Sequence, residues 1–383
     1  MTPGASAGPQ VQEFLEGSGV AAARSLPIHA QHFDGTRAAL AVAKGEAGSG
    51  QFTFRSPGRA AKVQERFPFA KGAVVIAMAY PRACYGQGEL EVASYARERS
   101  YDRLAEVLHG VVGILRRCGL RGTAVADSNA AFDKGLARQA RLGWVGKHSL
   151  VMVPGVGATV VLGSVMTSEL INVSIGKPPH GNPCKNCRRC IEACPVDAIV
   201  SDGVIDVKKC LATVLQAPSL GRVKRASLGT RVYGCDACLS ACPLGSRNCV
   251  NVVGLNASEV LESSGEDVLS RFSTWYIPSH DPAVVWRNIL VARANARRSL
   301  TLDEARAVGR LMLSQDSRLS REALRCVVMS RVKGSRWSTS LLPTTSLPRS
   351  GGSSLTSTRS IKGRLATPPS WSQHSTRGHA SST

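Results

Sequence analysis

The chain is poor in aromatic residues, in acids and in leader-like features. Aromatics make up 5% of its 383 residues, so base stacking is not spread along it. Asp and Glu number 27 against 48 Lys and Arg, a formal net charge of +21. Such a deficit of acid favours a polyanionic partner, a nucleic acid or an anionic surface. Part of it is terminal: Arg331 to Thr383 holds eight Lys or Arg and no acid, which leaves +13 on the rest. The opening run MTPGASAGPQVQEFLEGSG has no basic n-region, no long apolar h-region and no twin-Arg signal. A cytoplasmic location and a reducing environment are the resulting expectation.

No uninterrupted apolar run suits a membrane span. Ser149 to Ser168 carries no charge, but Pro154, Gly155 and Gly157 break it. It reads as two strands around a Pro-Gly turn, and no membrane association is expected.

Cysteine is abundant. Eight of the twelve lie between positions 184 and 242 at metal-ligand spacing, which argues against a disulfide scaffold. The first run is Cys184-x2-Cys187-x2-Cys190-x3-Cys194-Pro195, the bacterial ferredoxin pattern whose fourth cysteine serves the other cluster of a pair. The second run, Cys235-x2-Cys238-x3-Cys242-Pro243, lacks its first position. Cys210, displaced by an insertion of 24 residues, takes that place. Pseudo-symmetry then assigns Cys184, Cys187, Cys190 and Cys242 to one [4Fe–4S] cluster, and Cys194, Cys210, Cys235 and Cys238 to the other. Four thiolates also suit zinc, but two runs each ending Cys-x3-Cys-Pro favour clusters. Cys84, Cys118 and Cys326 read as ordinary thiols, and Cys249 as a spare.

Around this segment the chain reads as α+β. Lys71–Tyr80 and Thr123–Ala126 have strand character, Leu90–Arg116 and Asp133–Arg141 have helical character, and the strand pair at 149–164 follows. This alternation predicts an N-terminal α/β domain. Helices are expected at Ser258–Leu269, Asp281–Ala296, Thr301–Ser314 and Ser320–Val332. The domain reading is an N-terminal segment (1–50), a catalytic α/β domain (51–175), a two-cluster ferredoxin-like domain (176–250), a helical domain (251–334) and a Ser/Thr/Pro-rich basic tail (335–383). The tail's composition predicts disorder. A bare ferredoxin needs far less chain, so the domain ahead of the clusters should use their electrons.

Several segments resemble the epoxyqueuosine reductase family. They are FTFRSPGR (52–59), SYARERSYDRL (94–104), ADSN (126–129), LGWVGKHSL (142–150), TVVLGS (159–164), the 184–210 region, RVYGCDAC (231–238), WYIP (275–278) and WRNILV (286–291). The resemblance implies reduction of epoxyqueuosine to queuosine in a tRNA anticodon loop, by cobalamin held in the α/β domain and fed by the two clusters. It implies Asp127 as proton donor, with Arg59, Asp127, Val151, Val153, Leu162, Asp236 and Ala237 around the cobalamin. HEAT-like C-terminal helices would grip the tRNA, and a low-potential donor such as ferredoxin or flavodoxin would reduce a monomeric enzyme. No Asp-x-His-x-x-Gly run offers a histidine to cobalt. The sequence departs from the family at Asn129-Ala130, after the acid, and at Leu244, after the second Cys-Pro. The alternatives are a reductive dehalogenase-like corrinoid reductase and a two-cluster electron-transfer protein.

Overall fold

A computed structural model of the chain describes residues 3–28, 60, 62–128, 130–245 and 249–330. Arg59, the 52–59 segment, Asn129 and the tail at 335–383 lie outside the described residues.

The sheet is built on β2 (Gly72–Ala79, GAVVIAMA), which is apolar at every position and therefore belongs where both faces are covered. Val74, Ile76 and Met78 enter one core, and Ala73, Val75 and Ala77 enter the other. β2 pairs with β1 (Ala22–Pro27) on one side and with β8 (Val160–Thr167) on the other. With β5 (Gly122–Val125) and β9 (Ser174–Ile175) at the edges, the order is β5-β8-β2-β1-β9. Every ladder of this sheet is antiparallel, which corrects the α/β expectation. Alternation in sequence does not fix strand direction, and each neighbouring pair in this sheet runs in opposite directions. Residues 3–28, read from sequence as a separate segment, supply α1 (Pro3–Gly17) and β1 to this domain.

On one face, α4 (Ser100–Arg117) buries Leu104, Val107, Leu108, Val111, Ile114 and Leu115, a stripe at helical spacing, against β8 and α1. It ends at Cys118, and Gly119 takes the left-handed φ of 74° that lets the Leu120 N–H return to the Leu115 carbonyl. On the other face, α5 (Asp133–Gln139) buries Leu136 and Ala137 beneath the site described below.

The strand pair expected at 149–164 is not a hairpin. β7 (Val151–Met152) pairs with β6 (Trp144–Val145), and only a Val153–Gly157 bridge closes the Pro-Gly turn. β8, buried along most of its length, moves on to the sheet centre. Gly157 sits at φ 87°, and a Cβ on it would lie 2.6 Å from the Gly245 Cα. The turn therefore stands directly against the end of the second cysteine run.

Two short parallel ladders join the cluster segment to the N-terminal domain: β12 (Arg231–Tyr233) with β4 (Glu91–Val92), and β13 (Cys249–Val252) with β3 (Arg82–Tyr85). Beyond it the chain is helical: α9 (Ala257–Glu262), α10 (Gly265–Arg271), α11 (Ala283–Ala296), α12 (Leu302–Met312) and α13 (Ser317–Met329). The single helix expected at 258–269 is two, because Ser264 caps a new start by accepting from the Asp267 N–H. α11 is tied to the cluster segment through buried side chains. Asn288 donates to the Leu215 and Val232 carbonyls, and Arg287 donates to those of Ala217 and Pro218. No helix among the described residues is long and apolar enough to cross a membrane.

Candidate active site

The chain leaves β5 and turns at Asp127, whose φ of 42° is left-handed. A residue with a Cβ is disfavoured there by about 1–2 kcal/mol. The turn is held by Asp133, whose Oδ2 accepts from the Asp127 N–H at 3.1 Å. Asp133 Oδ1 is buried without a partner. Asp127 and Lys134 both reach solvent, and neighbouring protein still desolvates both groups. Burial holds the Asp127 carboxyl above the usual carboxylate range. Asp133 is pushed well above it, by burial first and then by the charge of Asp127. The Lys134 ammonium is lowered by burial, against the opposing fields of Cys210, Cys238 and Asp133.

Those fields show what Lys134 faces. Lys134 stands between the Asp133 carboxyl and the thiols of the second cysteine set. Asp127 acts on buried Tyr101 and Tyr233, while Asp236 and Cys238 act on buried Tyr80. The Asp127 loop and the Cys235–Cys238 loop thus lie near one group of tyrosines. Asp236 is fixed there by the Ser94 N–H and hydroxyl, 2.7 and 2.6 Å from its Oδ2, and its Oδ1 is buried without a partner. Ala237 opens α8 (Ala237–Ser240) beside it.

The cysteines fall into two neighbourhoods. Cys190 feels Cys242, Cys184 and Cys187, and Cys242 feels Cys184 and Cys187. Cys210 feels Cys194, and both Cys235 and Cys238 feel Cys210. Cys238 also feels Cys190, so the two sets adjoin. Cys190 lies in α6 (Arg189–Glu192) and Cys238 in α8, two short helices that pack together as related halves. Cys210 stands at the N-cap of α7 (Leu211–Leu215), and the insertion between it and Cys235 folds as α7, a partly exposed loop and β12, with Leu211, Leu215 and Leu228 buried alongside Val291 of α11. Backbone N–H groups reach sulfur, as from Ala198 to Cys194 at 3.2 Å, and such bonds steady a thiolate. Burial pushes the Cys210, Cys235 and Cys238 thiols up, so a bound metal must displace their protons. Among the described residues no three His, Cys, Asp or Glu side chains stand in the geometry that holds a single metal ion.

The expected corrin contacts divide. Val151 and Val153 bury their side chains in the core under the Asp127 loop, so any contact from them is through backbone. Leu162 is half-buried against the same core, and Asp236 and Ala237 are half-buried in the Cys235–Cys238 loop. The unpartnered oxygens of Asp133 and Asp236 suit a ligand that brings hydrogen-bonding groups of its own. His148, in the Gly-rich turn, is structural: its Nδ1 accepts from the Leu150 N–H at 3.2 Å, and burial lowers its pKa to about 4. Lys147 pairs with Asp202 at 3.2 Å, docking that turn on the cluster segment. Sequence reasoning missed Asp133, Lys134 and Ser94, since an acid and a lysine opening a helix are commonplace. It also missed that Cys84 and Cys249 form a disulfide, with Cα atoms 5.8 Å apart. Parallel pairing of β3 with β13, distant in sequence, brings them together.

A family model of the 4Fe-4S double cluster binding domain matches residues 183–245. The epoxyqueuosine reductase of Synechococcus sp. (strain CC9605) is 37% identical over 169 residues, 42% of this chain and 51% of that protein. That of Gloeobacter violaceus is 30% identical over 208 residues, 52% of this chain and 64% of that protein. The chain thus spans about half to just under two thirds of these curated relatives. Among solved structures, an epoxyqueuosine reductase with an epoxyqueuosine-modified tRNA stem loop superposes with a TM-score of 0.69 at 21% identity, covering 84% of this chain and 89% of that one. The Streptococcus thermophilus enzyme gives 0.69 at 20% identity, covering 82% and 88%. The chain therefore has the fold of epoxyqueuosine reductases and is similar to them in sequence.

Proposed function

We propose that this chain reduces epoxyqueuosine to queuosine in a tRNA anticodon loop, with cobalamin and two [4Fe–4S] clusters as resident cofactors. One observation carries the reading: Asp127, on a left-handed turn held by Asp133, lies beside Lys134, which in turn neighbours the ligand cysteines Cys210 and Cys238. Turning an epoxide into an alkene takes two electrons and two protons, and the oxygen leaves as water. Bound cobalamin supplies the two-electron chemistry that one-electron clusters lack. This chain's residues do the rest. Cys184, Cys187, Cys190 and Cys242 would hold one cluster, and Cys194, Cys210, Cys235 and Cys238 the other, nearer Lys134. Asp127, whose pKa its surroundings raise, gives a proton to the leaving oxygen. Asp236, Ala237, the Val151–Val153 backbone, Leu162 and Arg59 would hold the corrin.

The basic charge fits tRNA, and an epoxyqueuosine reductase of this fold holds a modified tRNA stem loop. The C-terminal helices, a HEAT-like grip in this reading, would present that charge to the phosphates. The donor would be a low-potential ferredoxin or flavodoxin, and the protein a cytoplasmic monomer. The relatives found are epoxyqueuosine reductases, which does not favour the dehalogenase-like alternative. A bare electron carrier needs no such acid.

Anaerobic purification with iron, sulfide and cobalt analysis, followed by assay on epoxyqueuosine-containing tRNA, tests this. About eight irons with stoichiometric cobalt and formation of queuosine are expected. Clusters without corrin, or intact cofactors without turnover, reject it.

A further inference from the structure

We infer that Asp133 is a positioning residue: by accepting from the Asp127 N–H it latches the acid's loop in place, where the Asp127 carboxyl meets the leaving oxygen. The inference rests on the reading of Asp127 as proton donor. Asp127 holds a left-handed backbone, which costs an Asp less than most residues but still disfavours it, and its N–H is bonded by a side chain six residues on. Both ends of the loop are anchored. Val125 is paired with Ser164 in the sheet, and Ala131, Leu136 and Ala137 are buried in the core. Between them the Asp133 carboxyl holds the Asp127 amide, and loss of that bond would let the Asp127 carboxyl turn away.

The chemistry of Asp133 fits a latch better than a helix cap. It opens α5, where an acid would ordinarily serve its own helix end, yet the N-cap Phe132 provides no side-chain cap and Asp133 reaches back to residue 127 instead. Its second oxygen is buried with no protein partner, so within the described protein the bond to Asp127 is what the side chain makes. Burial and the neighbouring Asp127 charge both oppose its ionisation, and a neutral carboxyl still accepts from the N–H.

Hydrogen-exchange mass spectrometry on the full-length holoprotein, with overlapping peptides resolving the Asp127 amide, tests the latch beside steady-state kinetics. Asp133→Ala should speed exchange at that amide about tenfold or more, and lower kcat by a similar factor with KM within about twofold. Iron and cobalt contents should not change. Asp133→Asn keeps an accepting oxygen and should restore both protection and most of kcat. Wild-type exchange in Asp133→Ala, or an Asn variant as unprotected as the Ala one, overturns the inference. If Asp133→Ala loses its clusters, the Asn variant alone decides by the same reading. A wild-type protein that turns over no epoxyqueuosine defeats the proposed function, while the exchange comparison still judges the latch.

Discussion

Asp127 combines an unfavourable backbone, a raised pKa and a position near the cysteine loops. Replacing it with Ala should leave iron and cobalt in place and abolish turnover, by about 10²-fold or more for the loss of a general acid; full activity on modified tRNA would reject the role. Turnover should also fall as pH rises through the folded pKa of Asp127, since only the protonated form donates. Stability follows the same sign. Asp127 and Asp133 both titrate above their ordinary 3.8 in the folded protein. The folded state then binds more protons than the unfolded chain above that pH, so stability declines from there upward until both have ionised. Asp133→Asn should flatten that decline in denaturant titrations run at several pH values. A variant with the wild-type slope would show that the buried carboxyl is not its source. These two acids also mark how far the sequence could be read. Asp127 stood out through a family segment, but Asp133 is one of many acids that open helices, and only the folded turn shows what it holds.

Among the elements, legibility followed burial pattern. The all-apolar β2 and the striped α4 were evident because a short continuous apolar run marks a strand covered on both faces and a 3.6-residue stripe marks a helix covered on one. Strand direction in the sheet was not, because no local pattern encodes which end of a sheet a chain returns to. The same blindness hid the Cys84–Cys249 pair, 165 residues apart. Non-reducing alkylation of native protein should find both protected. Cys84→Ser should lose stability under oxidising conditions, by up to about 5 kcal/mol for so long a loop, and lose nothing when thiols are kept reduced. Two freely alkylated thiols in both states would remove the disulfide. In the helical part, Thr301 and Glu304 form a full capping box, and Glu304 also meets buried Arg293 at 2.7 Å. Burial pushes Glu304 up, but hydrogen bonds from Arg293 and Thr301 outweigh it and hold its pKa low. That contribution is present above the ordinary 4.5 and lost as pH falls through the folded value. Arg293→Met should cost about 3–5 kcal/mol by stranding the carboxylate, and adding Glu304→Leu should recover much of it. A double variant no better than the single would mean that packing, not charge, is what Arg293 provides.

For the whole molecule, the proposed reading links the two cysteine sets and the positive charge as a path from donor to modified base, and each end is measurable. Cys210→Ser should lower iron from about eight toward four per chain, because Cys210 belongs to one set only; full retention would return it to the spare thiols. Binding of the anticodon stem loop should weaken steeply with salt, as phosphate contacts release counterions. Four neutralised phosphates give about a 10²-fold loss of affinity between about 50 and 200 mM salt. Eight of the basic residues lie at or beyond Arg331, and +13 remains on the rest of the chain. A chain ending at Ser330 separates the two contributions. If the folded part grips the RNA, the logarithmic salt slope should keep most of its steepness and queuosine formation should continue. A slope near zero in the shortened chain, with turnover intact only for the full one, would move the grip to the tail and leave α9–α13 as scaffold for the clusters.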